Sequence, residues 1–135
     1  MLYTNSTNVR IEAADPMKRE TQLIFSTDAW NTILADPAEF SRLVVGRPLR
    51  PYQIEPLRAI VASVRQRAGR VFTIMFARQM GKNELSAHLE AYLLTLCAGA
   101  GGSIVKAAPT FKPQVIQSKS RLEATLSTPA LSGRW

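Results

Sequence analysis

The residues with the clearest capacity for chemistry lie in one short stretch, Arg78-Gln79-Met80-Gly81-Lys82-Asn83-Glu84. It follows an apolar run and precedes a helical pattern. The free N–H groups at a helix start, with the positive end of the helix dipole, attract an anion. Gly81 lets the backbone approach such a group closely, and Lys82 can reach terminal phosphates as a point charge. Measured against the phosphate-loop pattern G-x-x-x-x-G-K-[ST], the match is partial. Phe76 stands at the first glycine position, and Asn83 replaces the Ser or Thr that would ligate Mg²⁺. An amide oxygen can ligate a hard cation, so Asn83 remains chemically serviceable. The plainer alternative is a turn carrying an exposed lysine.

The elements that must position this stretch can be read from periodicity. Residues 71–76 (VFTIMF) are an apolar run rich in β-formers and predict a strand buried on both faces. Residues 83–97 predict a helix whose buried side is Leu85, Leu89, Tyr92, Leu93 and Leu96, ended by the glycines of 98–102. Residues 103–108 (SIVKAA) read as a second short buried strand, and about 112–126 as a polar helix. Strand, helix, strand, helix implies a right-handed parallel β-α-β unit. Upstream, Pro51 opens a helix with Ile54, Leu57, Ile60, Val61 and Val64 on one stripe, stopped near Gly69. Residues 47–51 (RPLRP) form a stiff connector. Two short helices precede it, one over 28–34 and one capped by Asp36 with Pro37 at its first position. The first 25 or so residues read as a polar arm with a short strand at 22–25. The domain reading is thus 1–46 for the arm and short helices, and 47–135 for the unit bearing the loop.

Composition excludes several function classes. The chain has 135 residues, 46% of them hydrophobic and 20% charged, which suits one modest globular domain. One cysteine, Cys97, allows no internal disulfide, and with the single His88 it cannot make a four-ligand zinc site. The most apolar stretch, 91–105, is broken by glycines and is shorter than the roughly 20 residues that span a bilayer. No apolar run marks a signal peptide at the start, so a cytoplasmic protein with no membrane partner is expected. The net charge of +7 is uneven, because residues from Arg47 onward carry thirteen basic and four acidic side chains. Such asymmetry points to phosphate, on a nucleotide or a nucleic acid, or else to a solvated basic face. Arg58, Arg65, Arg67 and Arg70 are the candidates for touching DNA.

The loop entered from an apolar run resembles the deviant Walker A of phage terminase large subunits, the ATPases that pump DNA into capsids. That family often replaces the first glycine and places Arg-Gln before x-Gly-Lys. Arg50-Pro51-Tyr52-Gln53 is similar to the adenine-recognising element upstream of such loops. Ala107-Ala108-Pro109-Thr110, followed by Gln114, resembles the strand end and loop that come after. The resemblance covers about residues 47–121. It implies an α/β fold, an incomplete P-loop NTPase (RecA/ASCE-like) with parallel strands and flanking helices, binding ATP and Mg²⁺. It implies that Lys82 holds the β- and γ-phosphates, with Gln79, Met80, Gly81 and the amides through Glu84 forming the cradle. Asn83 would face Mg²⁺, and Arg78 would sense or stabilise the γ-phosphate. Gln53 would pair with the adenine edge while Tyr52 packs on the ring, although both also suit an ordinary helix start after a proline. Glu84 has a plain alternative as a first-turn acid. The implied partners are double-stranded DNA, a small terminase subunit, a portal protein and further copies of the motor, in a host cell cytoplasm.

Hydrolysis in that class needs acids at the end of another buried strand. The chain has no adjacent acid pair, and beyond Glu90 its only acid is Glu123, within a basic helical stretch. The expectation is therefore the amino-terminal, nucleotide-binding portion of such a motor, lacking Walker B and the nuclease and inactive alone. Two alternatives stand beside it: a fragment of a helicase-like DNA translocase, and a small basic nucleic-acid-binding module with no nucleotide site. His88 reads as a surface or packed histidine, and Cys97 as a small buried hydrophobe.

Overall fold

The computed structural model describes residues 27–132, and the strand expected at 22–25 lies outside them. Among the described residues five α-helices carry the fold: α1 (Thr27–Ala35), α2 (Pro37–Leu43), α3 (Pro51–Arg65), α4 (Lys82–Cys97) and α5 (Ile116–Leu126). Local chemistry sets most of their ends. Asp36 is extended and its Oδ1 accepts from the Ala38 N–H at 3.0 Å, capping α2. Pro37 takes the first position, where its missing N–H costs nothing. At the start of α3, Gln53 Oε1 accepts the Arg50 N–H at 2.9 Å. That helix ends at Arg65, earlier than Gly69, because Arg67 already turns left-handed with φ 51°.

The core sits where α1, α2, α3 and α4 meet. Phe40, Leu57, Tyr92 and Leu131 are fully buried, with Val44, Val45, Leu49, Val61, Leu85 and Ala91 around them. Phe40 and Tyr92 meet edge to face with ring centroids 5.3 Å apart, the arrangement their quadrupoles favour. The Tyr92 hydroxyl donates to the Leu34 carbonyl and accepts from Arg65, both at 2.6 Å, so its polar end is paired inside the core. Of the residues expected on the buried side of α4, Leu85 and Tyr92 are buried, while Leu89, Leu93 and Leu96 pack partly exposed against the core. Helices α4 and α5 pack against each other more extensively than any other pair.

The parallel sheet is not there. Among the described residues no strand forms, so the expected α/β, P-loop NTPase architecture is overturned: the fold is helical. Residues 71–76 and 103–108 have no regular structure, and Val71 (94% exposed), Met75 (90%) and Val105 (91%) face solvent. The physical reason is that a strand exists only through a ladder with a neighbour. Among the described residues neither segment forms a backbone ladder with the other or with a third segment, and of the 71–76 run only Phe76 packs against the helical core. Apolar composition supplied the signal for a buried strand, but not the partner.

Candidate functional site

The loop between the 71–76 segment and α4 is a tight turn. The Met80 N–H donates to the Ala77 carbonyl at 3.3 Å, and the backbone is left-handed at Gln79 (φ 64°) and at Gly81 (φ 76°). Left-handed residues on either side of Met80 fold the chain sharply, and turns of this kind can gather successive N–H groups on one side. Gly81 is the N-cap of α4, Lys82 its first residue, and the Gly81 carbonyl accepts the Leu85 N–H at 2.9 Å. Lys82 therefore lies at the mouth of a 16-residue helix, where the dipole is positive.

Two side chains from α3 hold the loop from beneath. Tyr52 Oη donates to the Met80 carbonyl at 3.1 Å, and its ring meets Phe76 edge to face at 5.6 Å. Gln53 is buried; its Nε2 donates to the Gly81 carbonyl at 3.1 Å and, more weakly, to Met80 at 3.5 Å. A Cβ at Gly81 would come within 2.7 Å of that same Nε2. Glycine is required here twice over, by backbone hand and by close approach. The Gln53 amide, expected to read an adenine edge, is committed in this structure to loop backbone.

Above the loop is a cavity of about 590 Å³, lined by Phe76 through Glu84 and by Arg121 from α5. Arg78 and Lys82 are exposed there, and Asn83 is half-buried. On the α3 side a second cavity of about 380 Å³ is lined by Arg47, Arg50, Tyr52 and Gln53, and shares Gln79, Met80, Gly81, Glu84 and Arg121 with the first. Arg78 to Glu84 thus share the first cavity with Arg121, whereas Tyr52 and Gln53 line only the second. Sequence reading passed over Arg121 because it lies 37 residues beyond Glu84. One signal was available: Arg121 falls between Ser118 and Thr125, the buried residues of α5, at helical spacing.

Glu84 organises the charges around the loop. Its Oε1 lies 3.2 Å from Arg47 and 3.1 Å from His88 Nε2, and its Oε2 lies 2.7 Å from Arg121. Burial alone would raise the Glu84 carboxyl, but hydrogen bonds from His88 and Arg121 and the charge of Arg47 hold it below the ordinary carboxylate range. His88 is fully buried, and burial pushes its pKa below the usual imidazole value, with Arg47 acting in the same direction and Glu84 opposing. A neutral ring donating from Nε2 to Glu84 fits this geometry, since Nδ1 is buried with no hydrogen-bond partner among the described residues. Arg47 also donates to Thr125 at 2.8 Å, tying the connector to α5.

The basic surplus is partly spent inside the molecule. Arg58 pairs with Asp36, and Arg65 bonds Tyr92 and the Leu34 carbonyl. Lys106 pairs with Glu90 and bonds Ser86 at 2.7 Å, anchoring the 103–108 segment to α4. Two of the four arginines considered for DNA contact thus hold helices together. Cys97 is half-buried and free. Asn83 and Gln79 line the cavity with amide groups that could offer an oxygen to a divalent cation, whereas both Glu84 oxygens already face cations. Mg²⁺ tolerates such a site when phosphate oxygens and water complete its shell.

No family model, no curated protein and no solved structure matches this chain. Among the described residues no helix is long and apolar enough to cross a membrane.

Proposed function

We propose that the loop from Arg78 to Glu84 binds the triphosphate of ATP, and that the chain serves as the nucleotide-binding front part of a terminase-like DNA-packaging motor. The observation that carries the nucleotide reading is the left-handed Gly81 presenting Lys82 at the start of α4, beside a cavity edged by Arg78 and Arg121. The start of α4 and three cations, Arg78, Lys82 and Arg121, edge one volume, and a polyphosphate is a ligand that uses all of them. The motor assignment rests on the resemblance of the loop and its flanks, and the parallel sheet forms no part of it. Lys82 would neutralise the terminal phosphates and Arg78 would stabilise charge at the outermost one. Asn83 would contribute an oxygen to Mg²⁺, whose role when bound is to bridge phosphate oxygens and neutralise their charge. Double-stranded DNA, a small subunit and a portal belong to the same proposal.

A nucleic-acid module without a nucleotide site is the weaker reading, since Arg47, Arg58, Arg65 and Arg121 are engaged in internal pairs. Binding of a fluorescent ATP analogue with Mg²⁺ by the wild type and by Lys82→Ala separates the two. Loss of about tenfold or more in affinity is expected for the variant, the worth of one charge-assisted contact. Equal binding by both proteins would remove Lys82 from the site and the nucleotide reading with it.

A further inference from the structure

We propose that Arg121 is an anion-binding residue of the loop cavity, held by Glu84 until a polyphosphate takes it over. The inference rests on the reading of the loop as a triphosphate site and adds a residue from a distant helix to it. Arg121 lines both cavities that flank the loop, and its side chain is 55% exposed, so it has room to turn. Among the described residues its one ion pair joins Nη1 to Glu84 Oε2 at 2.7 Å. That oxygen can give Arg121 up without leaving the carboxylate stranded, because Oε1 keeps Arg47 at 3.2 Å and His88 at 3.1 Å.

The direction of exchange follows from the strengths of the competing contacts. An ion pair open to solvent on the arginine side is worth little. A guanidinium fork on a phosphate forms two parallel charged hydrogen bonds, and the phosphate carries more charge than a carboxylate. Arg121 also lies one helical turn from Thr125, which accepts a hydrogen bond from Arg47 at 2.8 Å. The ligand is defined by its terminal phosphates, since no base is needed for this contact.

The test uses the full chain, with a fluorescent ATP analogue and inorganic tripolyphosphate as separate probes. Arg121→Gln should weaken both probes about tenfold, and Arg121→Lys should recover only part, lacking the fork. Glu84→Gln should tighten binding severalfold by freeing Arg121, and that gain should vanish in the Glu84→Gln/Arg121→Gln double variant. If Lys82→Ala abolishes binding while Arg121→Gln matches the wild type, Arg121 is only a structural partner of Glu84 and the loop reading survives. A gain from Glu84→Gln that persists without Arg121 overturns the inference equally, since mere removal of a negative charge then explains it. Should Arg121→Gln fail to fold, Arg121→Lys decides: weaker binding of both probes than by the wild type supports the guanidinium contact, and binding equal to the wild type overturns it. If the wild type binds neither probe, the loop reading falls first and takes Arg121 with it.

Discussion

Gly81 is the position where backbone and packing requirements coincide, and Gly81→Ala separates their costs. The residue sits at φ 76°, ψ 27°, so an alanine must adopt the left-handed region, at about 1–2 kcal/mol. The new Cβ would also lie 2.7 Å from Gln53 Nε2, a distance at which something must move. The amide is at the end of a flexible side chain, but it is not free to yield. Its Nε2 donates to Gly81 and Met80, and its Oε1 accepts from Arg50, in part-buried bonds made by a buried side chain. Moving it breaks or lengthens those bonds, and an unsatisfied buried polar group costs about 1–3 kcal/mol. The total expected is about 2–5 kcal/mol of folding stability, read from urea unfolding followed by circular dichroism.

The same substitution in a Gln53→Ala background should cost only the backbone part, about 1–2 kcal/mol, because the obstructing amide is gone. A coupling energy near zero would mean that the close approach to Gln53 carries no weight. A loss for Gly81→Ala of less than about 0.5 kcal/mol, the scatter of a neutral surface change, would refute the whole argument.

Two further outcomes follow from the charge network and the caps. His88 has a pKa lowered by burial, so the unfolded chain takes up its proton first on acidification. The stability it contributes is complete above about pH 6.5 and drains as pH falls toward its folded value, with Glu84 adding the same trend lower down. Urea midpoints should drop from pH 7.5 to 5, and His88→Gln, which keeps a donor toward Glu84 but does not titrate, should flatten the upper part of that slope; a midpoint that rises on acidification contradicts the neutral buried ring. Asp36→Ala removes the α2 cap and should cost about 1–2 kcal/mol, whereas Asp36→Asn keeps an acceptor for Ala38 and should cost much less, since its pair with Arg58 is solvent-exposed. Equal losses would transfer the weight from the cap to the ion pair.

What could be read from the sequence was whatever is decided within a few residues. The Asp36-Pro37 start of α2, the Pro51 start of α3 and the Gly81-Lys82 entry to α4 each depend on neighbours one to four positions away, and each stands where the pattern placed it. The 71–76 and 103–108 segments failed for the opposite reason. Their residue types report a preference for extended backbone and burial, while a sheet requires a second segment in register, which no local window contains. Gln53 shows the same limit at the scale of a side chain. Its place two residues after Pro51 was legible; its fold against a loop 28 residues away was not.

Net charge has to be recounted after folding before it says where an anion goes. Arg47, Arg58, Arg65, Lys106 and Arg121 each face a carboxylate, a hydroxyl or a carbonyl inside the molecule. Arg78 and Lys82 make no ion pair among the described residues, and both line the loop cavity. The attraction that remains is therefore local, concentrated where a helix dipole adds to it, rather than spread along a basic face. A triphosphate tail carries more negative charge than two cations balance. On the proposal above, the further cation is Arg121, which lines the same cavity and whose carboxylate partner keeps two other donors when it leaves.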